Sequence, residues 1–180
     1  ALDSADVWTN HTLFQLDNEW KPINVAGCPP DMFSSYGQKW GNPIYDWKAM
    51  EKTDFAWWKK RMAASARLYD VTRIDHFIGI VRYYNIPLDK DPIDGFYAEG
   101  PGIKLIKAID SAMGDAKVIA EDLGVVVPEV TELIKKSGYP GMKVLQFAFD
   151  GNGDNEHILH NHEKNDVVYL GTHDNDTVVG

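Results

Sequence analysis

The 180-residue sequence carries 27 acidic side chains against 18 basic ones, a formal charge of −9. That balance argues against nucleic acid or an anionic membrane as partner and favours a neutral or cationic small substrate. A hydrophobic content of 44%, with no apolar run near the roughly 18 residues of a membrane span, describes a soluble globular chain with a sizeable core.

The single cysteine, Cys28, cannot form an internal disulfide. The opening Asp3, Ser4 and Asp6 lack the basic and apolar regions of a signal peptide. Both features point to a cytoplasmic setting, in which the N-x-[ST] sequons at Asn10 and Asn175 are chance matches.

Residues 1–8 read as the tail of a strand and its following turn. From 9 to 53 the chain is rich in Pro, Gly, Asn and Asp with weak periodicity, the composition of a functional lid or insertion. Trp8, Trp20, Trp40 and Trp47 fall in this first third. Core packing is their default reading, and flat platforms for sugar rings are the other. Thr53 then reads as the N-cap of a helix with Phe55, Trp58, Met62, Ala66 and Tyr69 along one face. A strand over Val71–Asp75 follows, then a mixed segment over 77–100 with Tyr83, Tyr84 and the turn signals Pro87, Pro92 and Gly95.

Pro101 opens a second helix whose buried stripe is Leu105, Ile106, Ile109 and Met113. Lys117–Glu121 reads as a strand. A third helix starts near Pro128, carries Glu129 and Glu132 early, and stops at Gly138. Lys143–Phe149 reads as another strand, Asp150–Asn155 as a loop, 156–164 as a short helix and Asp166–Leu170 as the last strand. The strand–helix alternation predicts four parallel strands, plus the N-terminal stub, joined by right-handed crossovers. A closed eight-stranded barrel takes about 250 residues, more than this sequence has, and both ends read as cut.

Three acidic segments stand at the ends of the apolar runs: Arg73-Ile74-Asp75-His76, Ala120-Glu121-Asp122-Leu123-Gly124 and Gly171-Thr172-His173-Asp174-Asn175-Asp176. Strand ends of a parallel sheet share one rim, where converging acids are more often catalytic than packing residues. Arg73 and Asp75, two apart on a strand, face the same way, so the guanidinium would keep Asp75 ionised as a nucleophile. Glu121, on the neighbouring strand, would have its pKa raised by the charge of Asp75 and serve as general acid. Such a pair is that of a retaining glycosidase. Taken singly, each acid could equally cap a helix or form an ion pair.

Other signals are weaker. His157, His160 and His162 with Glu156 and Glu163 have spacing compatible with metal binding, yet the surrounding Asn and Lys residues describe a solvated loop. Asp150–Glu156 lacks the Gly and Glu positions of a calcium loop. Met142 and the aromatics of Lys143–Phe149 read as core.

The acidic segments sit within longer blocks: Asp3-Ser4-Ala5-Asp6-Val7-Trp8, Pro29-Pro30-Asp31 with Phe33-Ser34, Gln38, Trp40-Gly41-Asn42-Pro43 with Tyr45, Arg73 to Phe77, Ala120 to Gly124, Pro140 to Phe149, and Gly171 to Thr177. On these blocks the chain resembles the amylomaltases, the 4-α-glucanotransferases of glycoside hydrolase family 77. The resemblance implies a partial (β/α)8 TIM barrel in the α/β class, from roughly the end of strand three to strand seven. The irregular insertion 9–53 would precede strand four and 54–180 would supply β/α units, with barrel strands one, two, eight and most of three absent.

It further implies that Asp75 is the nucleophile, Glu121 the acid/base and Asp174 the stabiliser of the transition state through the sugar's 2- and 3-hydroxyls. Arg73 and His173 would contact sugar or nucleophile, and Asp3 would match the first acid of the wider clan. Asp31, Gln38 and Trp40 would belong to a loop overhanging the acceptor. No cofactor and no metal are implied. The expected partners are maltooligosaccharides and α-1,4-glucans, with self-association through exposed sheet edges. Two alternatives stand beside transfer: hydrolysis of α-1,4-glucans, and an inactive glucan-binding fragment.

Overall fold

Local hydrogen bonding sets the first element. In the computed structural model, which describes residues 1–31, 34–124 and 127–179, the Ser4 hydroxyl accepts from the Val7 amide at 3.3 Å and caps a short helix. Phe33, part of one family-like block, lies outside the described residues. In chain order the elements are α1 (Ala5–Thr9), β1 (Asn24–Cys28), β2 (Gln38–Pro43), α2 (Trp47–Lys52), α3 (Ala56–Ala66), β3 (Val71–Ile74), β4 (Arg82–Pro87), β5 (Phe96–Glu99), α4 (Ile103–Met113), β6 (Lys117–Ala120), α5 (Pro128–Ser137), β7 (Gly141–Val144) and β8 (Asp166–Tyr169). The chain is thus α/β with both parallel and antiparallel pairing. No helix among the described residues is long and apolar enough to cross a membrane.

Two compact units divide it, Ala1–Met62 with Gly79–Ala112, and Ala63–Ile78 with Met113–Gly180. The first unit is built on an antiparallel four-stranded sheet in the order β2-β1-β4-β5. Val25 faces Ile86 in the register, and Val25, Tyr84 and Ile86 form a buried cluster. This sheet corrects the expectation of a wholly parallel arrangement. Its strands come from 9–53 and 77–100, where turn residues mask the short apolar runs.

Other sequence expectations change for identifiable reasons. Residues 1–8 are not a strand's tail, since Ser4 starts α1. Thr53 is the C-cap of α2 rather than an N-cap, its hydroxyl donating to the Met50 carbonyl at 3.0 Å. Asp54 and Phe55 then take φ of 50° and 53°, which breaks the helix before α3 begins. Phe55 and Met62 are buried as expected, but Tyr69 is exposed beyond the helix. Trp8, Trp20 and Trp40 are exposed rather than core, whereas Trp47 packs against Tyr45 and Trp58.

In the second unit two parallel pairs, β3 with β6 and β7 with β8, are linked where the Ala120 amide donates to the Pro140 carbonyl at 2.9 Å. Helix α5 starts at Pro128 and ends at Gly138, whose left-handed φ of 71° suits a residue without Cβ. Phe77, Val130, Leu133, Met142 and Val144 are buried in this unit, and Phe77 meets Tyr139 edge-on. The stripe expected for α4, Leu105, Ile106, Ile109 and Met113, is buried too. The expected strand Lys143–Phe149 is instead β7 followed by a 3₁₀ turn over Leu145–Phe149. Its partner β8 stops at Tyr169, and the last bond between the two segments that continues the ladder among the described residues runs from the Gln146 amide to the Leu170 carbonyl. The short helix expected over 156–164 reduces to a 3₁₀ turn at Leu159–Asn161.

Gly27 on β1 passes so close to β2 that a β-carbon there would run into the Gln38 carbonyl oxygen. Gly27→Ala is therefore expected to cost about 1–3 kcal/mol of stability. Urea unfolding should show a lower midpoint with the same m-value, and an unchanged midpoint would disprove the close approach.

Candidate active site

The β3–β6 register, Val71↔Lys117 to Ile74↔Ala120, carries the chain directly into two acids. The pairing runs past the assigned ends: the Glu121 amide donates to the Ile74 carbonyl at 3.0 Å, and the Phe77 amide donates to the Glu121 carbonyl at 3.0 Å. Asp75 and Glu121 are therefore neighbours at one end of a parallel pair. His76 takes φ of 49°, a backbone conformation rare for a side-chain-bearing residue, at the turn where the chain leaves β3. The Glu121 carboxylate accepts from the His76 amide at 2.7 Å and the Leu123 amide at 2.8 Å.

Asp75 has a different environment. Arg73 Nη2 lies 2.7 Å from Asp75 Oδ1, and the Asp75 side chain is 74% exposed. The expected same-face pairing of these residues is what the structure has. Arg73 Nε also donates to the Met142 Sδ at 3.2 Å.

Burial pushes the Glu121 carboxyl above its ordinary value. The Leu123 and His76 amides and Arg73 oppose the rise, and Asp75 adds to it. The direction agrees with expectation, but the principal cause is burial and not the charge of Asp75. His76 is lowered by burial, against the pull of Asp75. Asp122 is raised by burial although its carboxylate accepts from the Met142 amide at 2.7 Å. Burial alone would lower Lys143, but its ion pair with Glu156, together with Asp122 and Asp166, raises it.

The third acid belongs to the loop after β8. Asn175 Oδ1 accepts from the Thr172 amide at 2.8 Å, and the Asp174 amide donates to the Thr172 hydroxyl at 3.2 Å, which folds the loop on itself. Gln146 Nε2 donates to the Asp176 carbonyl at 2.9 Å and ties the loop to the turn after β7. His173 Nε2 and Asp174 Oδ1 are 3.4 Å apart, and the Asp174 side chain is 77% exposed. A cavity of about 400 Å³ in the same unit is lined by Asp122, Lys143, Glu156 and Asp166, and none of Arg73, Asp75, Glu121, His173 or Asp174 lines it.

The remaining sequence candidates lie in the other unit. Asp3 is exposed just before the cap of α1. Asp31 Oδ1 accepts from the Ser34 amide at 2.8 Å, and Trp40 Nε1 donates to Gln38 Oε1 at 3.0 Å. Asp31, Gln38 and Trp40 thus share the β1–β2 hairpin, in which Cys28 pairs with Gln38.

Sequence reasoning gave no part to the His76 amide, to Asp122, or to Met142 beyond packing. Position next to Asp75 and Glu121 was the available signal for the first two, and nothing in the one-dimensional pattern marks Met142. Of the histidines, His157 is half-buried and its Nδ1 accepts from the Val144 amide at 3.1 Å. Among the described residues no group of three or more His, Cys, Asp or Glu is arranged to hold a metal ion.

The family model for glycoside hydrolase family 77, described as 4-alpha-glucanotransferase, matches residues 1–180. The 4-alpha-glucanotransferase of Clostridium butyricum is 50% identical across 100% of this chain, which covers 37% of that relative. The chloroplastic/amyloplastic 4-alpha-glucanotransferase DPE1 of Arabidopsis thaliana is 52% identical over 98% of this chain and 31% of its own length. The amylomaltase from Streptococcus agalactiae, solved in complex with acarbose, superposes with a TM-score of 0.92 at 42% identity, covering 97% of this chain and 36% of that one. The chain therefore spans about a third of the length of the curated relatives it matches.

The Glu121 environment fixes a pH signature. Because its folded-state value lies above the unfolded one, the folded chain holds the proton to higher pH. That stabilising contribution is fully present below the unfolded carboxylate value and is lost as pH rises through the folded value. Glu121→Gln removes the titration, so the stability of the variant relative to wild type should rise as pH increases from the ordinary carboxylate range, about pH 4, through the raised folded-state value. Urea midpoints across that range test it, and a constant difference would show that Glu121 is not raised.

Proposed function

Since the chain belongs to glycoside hydrolase family 77, the 4-alpha-glucanotransferases, we propose that it carries the catalytic strands of a (β/α)8 barrel that moves α-1,4-glucan segments onto a sugar 4-hydroxyl. One observation carries this reading: Asp75, ion-paired with Arg73, stands beside a half-buried Glu121 whose pKa is raised. Two carboxyls in contrasting environments suit nucleophile and proton donor respectively.

In the first step an Asp75 carboxylate oxygen attacks the anomeric carbon while Glu121 gives its proton to the glycosidic oxygen. The C–O bond breaks and a glucosyl ester on Asp75 forms. In the second step the Glu121 carboxylate takes the proton of the acceptor 4-hydroxyl, whose oxygen displaces Asp75. Two inversions retain the anomeric configuration. The two backbone amides on Glu121 keep its carboxyl in place through both protonation states.

Asp174 is assigned to the 2- and 3-hydroxyls of the sugar in the transition state, and His173 and Arg73 to sugar contacts. Asp31, Gln38 and Trp40 are assigned to an acceptor-side lid within 9–53 that keeps water from the ester, and Asp3 to substrate binding as the counterpart of the wider clan's first acid. The 54–180 segment then supplies the β/α units. The formal charge of −9 supports a neutral glucan over nucleic acid or an anionic membrane. Acarbose in the Streptococcus agalactiae relative supports the same class of ligand here. The lone Cys28 supports a cytoplasmic setting, and self-association through sheet edges is part of the proposal.

The test places this chain in exchange for the matched part of the Clostridium butyricum relative and incubates the chimera with maltotriose. Glucose plus a ladder of longer oligomers is expected, and only shorter sugars would mean hydrolysis instead. Asp75→Asn in the chimera should lower transfer by roughly a thousandfold or more, and undiminished transfer would remove Asp75 as nucleophile. Trp40→Ala should shift the product ratio towards hydrolysis, and an unchanged ratio would end the lid assignment.

A further inference from the structure

We propose that Met142 is a positioning residue that orients the Arg73 guanidinium towards Asp75, with Asp122 setting Met142 in place. This rests on the transfer reading for its catalytic meaning and on geometry alone for the orientation itself.

Met142 is 2% exposed on β7. Packing at such a position needs only an apolar side chain of this volume, and leucine would serve. What leucine lacks is an acceptor. The Met142 sulfur takes the Nε–H of Arg73 at 3.2 Å, while Nη2 of the same guanidinium lies 2.7 Å from Asp75. Two anchors on different nitrogens of one rigid plane fix its direction, which a single ion pair would leave free to swivel.

The acceptor's chemistry matters as much as its place. A carboxylate at 142 would draw the guanidinium charge away from Asp75. A thioether is polarizable but uncharged, so it orients the group and leaves the positive charge to the nucleophile. The contact is weak by itself, and it acts by selecting one rotamer of Arg73.

Asp122 places the sulfur. Its Oδ1 accepts from the Met142 amide at 2.7 Å, and a β-carbon on Gly141 would collide with the same carboxylate. Asp122 directly follows Glu121, so the turn that seats the proton donor also seats the start of β7. The two carboxyls at the site are thereby coupled through Asp122, Met142 and Arg73.

The deciding measurement needs no activity. Exchange of the Arg73 Nε–H with water, followed by NMR in the 180-residue chain, should be about fivefold faster or more in Met142→Leu, with an unchanged urea midpoint. Asp122→Ala should move exchange the same way, and Asp122→Asn, which keeps the acceptor, should restore it. Exchange in Met142→Leu within twofold of wild type overturns the proposal.

The catalytic arm is a double-mutant cycle in the chimera. Met142→Leu should lower kcat/KM for maltotriose about fivefold, but less than about twofold when Arg73 is already Lys. Equal losses in both backgrounds would mean a packing effect and overturn the positioning assignment. If the wild-type chimera shows no transfer while the exchange contrast is present, the transfer reading falls and the orientation of Arg73 by Met142 stands.

Discussion

Val71 to Ile74 pair with Lys117 to Ala120, and that parallel ladder is the constraint from which the rest of the site follows. Side chains alternate between faces along a strand, so Arg73 and Asp75 share a side, and a slip of one residue would turn both together to the other face relative to β6. The pairing continues through the Glu121 amide and carbonyl, and the chain then turns sharply at His76. At this turn the His76 amide donates to the Glu121 carboxylate.

Two acids at the same strand end are thus given unlike surroundings by short-range structure. Asp75 faces outward and meets a guanidinium, while Glu121 turns into the protein and meets backbone amides. Burial raises Glu121, and the amides limit the rise. This balance around the carboxyl is the environment that the proposed alternation of acid and base work calls for. The difference between the two residues is one of solvation and is imposed by the fold around them.

Helix α4 was legible because an apolar stripe follows a proline, and α5 because a proline at the start, acids early on and a glycine at the stop agree with one another. The strand runs ahead of Asp75 and Glu121 were legible because short β-branched runs precede an acid. The antiparallel sheet was not, since β1, β2, β4 and β5 lie among turn residues and the pairing that joins the two hairpins, β1 with β4, links residues such as Val25 and Ile86 that are far apart in sequence. Thr53 misled because a threonine before an apolar face suits either end of a helix. The left-handed Asp54 and Phe55 that separate α2 from α3 leave no compositional trace. Lys143–Phe149 misled because alternation persists after the partner strand has ended.

The sequence by itself determined the chemistry available: three acids, an arginine and a histidine, each placed just before or after an apolar run, within blocks that resemble one family. Residue identity and spacing are one-dimensional properties, and acid–base capacity depends on identity first. Only the tertiary structure decided which acid is drawn out of solvent, why Glu121 is raised, and that Met142 and Asp122 stand behind Arg73. Those facts depend on solvation and on contacts across 20 to 69 residues of chain, distances over which no local pattern carries information.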